Sequence, residues 1–191
     1  MNRQFRVIVL VVLASSLCTV DRIAIATPRR QASAIGDRAG SEKAIRVALY
    51  ETALAALTGN TKAFMRHSAK RTLGLYDLVF AELSANPKSN EQFRKLGVTN
   101  GEGLLDIGFR AVASRSAATP RSKLEALARE QSASPITFIS DKEATGQHKN
   151  GPFKAVLEDD DWKIDITEAL KKSLLQTLPL SAESKEKIEK Y

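Results

Sequence analysis

Only a few residues in this chain have side chains that commonly do chemistry. His67 and His148 are the only histidines, and they fall in different elements. Neither has a second His, a Cys or a carboxylate at metal-ligand spacing. His67 stands beside Arg66 and close to Lys70, a poor setting for an imidazolium or a bound cation. Asp159, Asp160 and Asp161 are consecutive, whereas a calcium loop places its ligands on alternate residues and closes with a glutamate. They read as a solvated hairpin turn. Gly97, Gly101 and Gly103 follow no strand and lack a phosphate-binding lysine, so they read as a helix stop followed by a helix start. Ser114, Ser116 and Ser132 have no G-x-S-x-G context. The residues themselves therefore name no catalytic group, no metal site and no cofactor.

The elements that would position such groups are helices first and strands later. Ser41 is the expected cap of a helix running to Thr58, with Glu42 in its first turn. Val47, Tyr50, Leu54 and Leu57 form one apolar stripe, and Ile45, Leu49, Ala53 and Ala56 a neighbouring one, which predicts a single broad inward face. Gly59-Asn60 ends that helix. Short helices follow over 61–68 and 72–83, broken by Asn86-Pro87. Ser89 with Gln92, and Thr99 with Glu102, form capping boxes. Thr119-Pro120 opens the next helix, with Thr119 as cap.

From Ile136 the apolar period drops toward two. Residues 136–139, 153–158 and 162–166 predict a three-stranded antiparallel meander with one buried face, on which Trp162 is the largest side chain. The polar run 141–149 between the first two is extended at most, with Gly146 marking a bulge. A helix over 168–178 and a break at Pro179 complete an α+β domain spanning 41–180, in which helices pack on one face of a small antiparallel sheet, and a charged tail helix over 181–191 follows it.

Residues 1–26 carry the secretory pattern. Arg3 and Arg6 precede an apolar run from Val7 to Leu13, and Ala24-Ile25-Ala26 supplies the small residues a signal peptidase reads. The apolar stretch is shorter than the roughly twenty residues a spanning helix needs. Leu17 before Cys18 argues against a lipid-anchored cysteine. Cleavage after Ala26 predicts an exported protein, periplasmic or extracellular, and removes the only cysteine. It leaves 26 basic and 21 acidic residues, a net charge of +5. Residues 27–40 read as a flexible leader. A cysteine-free chain of this length rests on its core alone.

The basic excess is dispersed, and only eleven aromatic residues are present, none of them in a stacking platform. That excludes nucleic acid as the expected partner. An exported basic surface can still make weak contact with anionic lipid headgroups or wall polymers.

Two stretches resemble the nuclear transport factor 2-like superfamily, also called SnoaL-like or cystatin-like. AIRVALYETALAALTGNTKAFMRHSA resembles its opening long helix, Gly-Asn turn and short helix. GPFKAVLEDDDWKIDI is similar to its closing hairpin, where an acidic turn precedes Trp-Lys-Ile. The spacing and exported context look like uncharacterised periplasmic members. The resemblance implies a cone-shaped fold and one of two functions. The preferred one is a non-catalytic domain binding a small ligand or a partner protein. The alternative is a small pocket enzyme of the ketosteroid isomerase-like type, with an Asp base and an acidic or phenolic oxyanion partner. For that role the resemblance points to Tyr50, Tyr76 and Asp77, although the place of Tyr50 on an apolar helix face also fits a packed core tyrosine.

Overall fold

In the computed structural model, residues 38–148, 151–178 and 180–191 are described. The expected signal peptide, and the leader as far as residue 37, lie outside them. Eight helices and four strands follow in the order α1 (Arg38–Thr58), α2 (Thr61–His67), α3 (Lys70–Ser84), α4 (Pro87–Lys95), α5 (Gly101–Ser116), α6 (Arg121–Ser132), β1 (Ile136–Ser140), β2 (Glu143–His148), β3 (Gly151–Glu158), β4 (Asp161–Asp165), α7 (Thr167–Thr177) and α8 (Ala182–Lys190). Among the described residues no helix is long and apolar enough to cross a membrane.

Most helix ends obey local chemistry, shifted from the expected residue. α1 begins at Arg38 rather than at Ser41, so the end of the predicted leader is helical. It stops at Gly59, whose φ of +72° suits only glycine without strain. That glycine also lies against α5, where a Cβ would sit 2.2 Å from the Phe109 carbonyl oxygen. Asn60 caps α2 by accepting the Ala63 N–H at 3.1 Å. The cap of α4 is Asn86, with Pro87 in the first turn, in place of Ser89. Asn100 rather than Thr99 caps α5, accepting the Gly103 N–H at 2.9 Å. α6 starts at Arg121 with no side-chain cap. At α5 a neighbour one residue away has the better reach, which spacing alone does not reveal, and at α6 the expected cap Thr119 gives way to Pro120, which has no side-chain acceptor.

The sheet has four strands, not three, in the order β1-β2-β3-β4, all antiparallel. The missed strand is β2. Its inward positions carry the buried Ala144 and the half-buried Gly146, so it lacks the apolar alternation by which its neighbours are recognised. Small residues are required there. A Cβ on Gly146 would lie 2.3 Å from the Pro135 carbonyl oxygen and 2.4 Å from the Phe153 ring. Gly146 is therefore no bulge. The register runs unbroken from Glu143 to His148, and the irregularity falls in β1 between Phe138 and Ser140. Asp159 and Asp160, at φ +52° and +64°, form the two-residue turn between β3 and β4, in the geometry that matches the twist of a hairpin.

Two apolar clusters hold the fold. One lies between α1 and the sheet and contains Ile45, Leu49, Phe153, Trp162 and Ile164. Trp162 is only 8% exposed and meets Phe138 edge-on at 6.1 Å. The other lies among the helices and contains Leu75, Val79, Phe93, Leu105, Phe109, Leu170 and Ile188. Ile188 is fully buried, so the charged last helix is part of the same core. A buried polar network ties α3 to the end of the sheet. Asp165 accepts from Thr72 Oγ1 at 3.1 Å and from the Thr167 N–H at 2.8 Å, while Thr72 Oγ1 accepts the Ile166 N–H at 3.1 Å. Buried polar groups of this kind are tolerated because they are paired.

Candidate functional site

The three residues drawn from the family resemblance do not meet in one pocket. Tyr76 is buried in the helical cluster, and burial pushes its hydroxyl well above the usual phenol range. It makes no side-chain hydrogen bond among the described residues, so no carboxylate stands within reach of it. Asp77, the next residue, turns outward. Its carboxylate accepts the Gly101 N–H at 2.9 Å, a structural bond that supports the start of α5. Tyr50 is half-buried on a third surface, away from the core in which a tyrosine at that helix position was expected to pack.

The surface around Tyr50 is hollowed. α1 and α6 pack along one another, and between them lies an open groove of about 620 Å³. Ala39, Lys43, Val47 and Tyr50 line it from α1, and Arg129 and Ser132 from α6. The α1 residues recur every three or four positions, which places them on one side of the helix. Val47 is 50% exposed. The stripe containing Val47 and Tyr50 is thus not part of the inward face. The α1 residues buried in the apolar cluster against the sheet are Ile45, Ala48 and Leu49. Arg46 fixes the seam between the helices. Its guanidinium donates to Glu42 at 2.7 Å, to the Ser132 carbonyl at 2.8 Å and to the Ser134 carbonyl at 3.2 Å. Glu42 is thereby neutralised. Lys43 and Arg129 carry no ion pair among the described residues, which leaves the rim positive.

A second hollow, of about 560 Å³, opens at the α1–α2 turn between Glu51, Asn60, Thr61, Lys62, Asp106 and Arg121. Its polar groups largely satisfy one another. Thr61 Oγ1 donates to Asp106 at 2.9 Å, Arg110 pairs with Asp106 at 2.5 Å, and Arg121 pairs with Glu125 at 2.9 Å.

His67 is less isolated than its sequence neighbours suggest. It ends α2 half-buried, with Glu51 of α1 and with Asp161 and Lys163 of β4 in its electrostatic surroundings. Burial lowers its pKa below the ordinary 6.5. Glu51 and Asp161 pull it back up, and Lys163 and Arg66 push it further down. Lys163 is itself held by the Arg66 carbonyl at 2.7 Å. No hydrogen bond joins His67 to either carboxylate, and proton transfer requires that reach. Among the described residues, no group of three or more His, Cys, Asp or Glu stands together as a metal site. His148 ends β2, and its side chain lies outside what the structure describes.

Comparison with protein-family models, curated proteins and solved structures finds no match.

Sequence reasoning missed Lys43, Val47 and Arg129. The readable signal was the excess width of the α1 apolar face. Two adjacent stripes are more than a sheet of four short strands can cover, so one of them had to face something else.

Proposed function

We propose that this chain is an exported, non-catalytic binding domain whose ligand seat is the groove between α1 and α6. The observation that carries this reading is the pairing of an apolar wall, Val47 with Tyr50, with the uncommitted cations Lys43 and Arg129. Pockets of a few hundred Å³ that combine apolar walls with few polar anchors are the usual form of small-molecule sites. The sheet face is filled by Phe153, Trp162 and α1, which leaves it no room for a second seat. Binding is favoured over the pocket-enzyme alternative because Tyr76 is sealed in the core and the Asp77 carboxylate is occupied by Gly101. A long helix laid across an antiparallel sheet is the feature that supports kinship with nuclear transport factor 2-like domains.

The test is a small-molecule panel read by thermal shift, repeated on Val47→Asp. Hits should be lost in that variant while its own melting temperature stays close to wild type, because Val47 is half exposed. Hits that survive Val47→Asp would move the seat elsewhere. The export part of the proposal is checked by sequencing the mature N-terminus, expected at Thr27. An intact Met1 would overturn it.

A further inference from the structure

Resting on the groove as the seat, we infer that its ligand is a single-chain amphiphile bearing a carboxylate. Ala39 and Tyr50, the ends of the α1 wall, are eleven residues apart, which is about 16 Å along a helix axis. The groove is therefore elongated and shaped for a chain, and Val47 stands exposed toward its Tyr50 end. Its charge is selective. Glu42 is held by Arg46, and Arg46 is itself fully engaged by Glu42 and two backbone carbonyls. Among the described residues that line the groove, Lys43 and Arg129 are the cations that carry no ion pair, and they can meet an incoming group. An arginine fork matches the two oxygens of a carboxylate, and a nearby lysine adds a point charge. A cationic head would meet two like charges, and a neutral head would leave both cations without a partner. A nucleic acid fits less well, because Tyr50 is the only aromatic residue that lines the groove and a stacking platform takes several. An extended membrane surface fits less well than a single chain, because the apolar residues lie in a concavity between two helices.

The experiment uses residues 27–191, which contain every element described, with dodecanoate, dodecanol and dodecyltrimethylammonium, all below their aggregation concentrations. Calorimetry gives affinities, and amide chemical shifts locate binding. Dodecanoate should bind and shift amides of α1 and α6. Dodecanol should bind about tenfold more weakly, the scale of one lost charge-assisted contact, and the cation more weakly still. Arg129→Ala and Lys43→Ala should each weaken dodecanoate and leave dodecanol unchanged, and Val47→Asp should weaken both. Both basic positions are exposed, so these variants should fold, and circular dichroism checks that they do. Equal binding of dodecanol and dodecanoate at the groove would overturn the carboxylate assignment and leave the groove standing as the seat. Dodecanoate shifts confined to other elements would overturn the groove itself. No binding by any of the three would overturn the amphiphile class, and the panel on Val47→Asp would then decide separately whether the groove is a seat.

Discussion

The Asp77 carboxylate accepts the Gly101 N–H at 2.9 Å where α3 crosses α5. The two backbones meet there with no side chain between them. A Cβ on Gly101 would lie 2.5 Å from the Asp77 nitrogen and 2.6 Å from the Tyr76 carbonyl carbon. These are backbone atoms and cannot swing away. Gly101→Ala should therefore destabilise by about 1–3 kcal/mol, the range for overpacking, even though alanine is ordinarily the better helix former. Asp77→Ala should cost about 1 kcal/mol, the scale of a lost cap. Urea denaturation of both variants checks the order. A stabilised Gly101→Ala would show that the helices can part freely.

Trp162 packs against Phe138 and shares a cluster with Ile45 of α1. Trp162→Ala should cost about 3–5 kcal/mol, as large-to-small core changes do. Chemical denaturation followed by circular dichroism measures it. A loss under about 1 kcal/mol, far below that range, would place the indole at the surface.

Ile188 is fully buried beneath α8, and Ser184 Oγ donates to Glu82 at 2.7 Å across to α3. Ile188→Ala should cost about 2–5 kcal/mol by the same rule. If the last helix were a detachable tail, the melting temperature would not change.

His67 gives a pH dependence whose sign follows from its lowered pKa. The unfolded chain takes up a proton near 6.5, whereas the folded chain resists it until a lower pH. Stability linked to this group is therefore complete above that value and is lost as pH falls from it through the folded pKa. His67→Gln should flatten the stability profile in that window. An unchanged profile would mean that burial does not penalise the charged ring.

The outline of the fold was legible because alternation and caps are local signals. Phe153, Ala155, Trp162 and Ile164 announced their strands and their buried face, and Gly59-Asn60 announced the end of α1. β2 was illegible for a physical reason. Its inner position at Gly146 needs the smallest side chain, since Phe153 and the Pro135 carbonyl fill the space above it, and small residues carry no apolar period. The groove was half legible. Its residues sit on a visible stripe, but their facing outward depends on the width of a sheet formed ninety residues later in the chain. The surroundings of His67 were not legible at all, because Glu51, Asp161 and Lys163 reach it only through the fold.

The start of α3 has no side-chain cap of its own at Ala69. Its first N–H is taken by Glu158, 88 residues further on, at 3.0 Å, and Lys70 pairs with Asp159 of the same hairpin at 2.7 Å. The hairpin that shelters α1 thus also completes α3. A nascent chain that has released both helices still lacks the strands that bury one and the carboxylate that caps the other. Contacts this distant in sequence close late and slowly. The sheet-facing side of α1 and the first turn of α3 therefore gain their last partners only once β3 and β4 have been made.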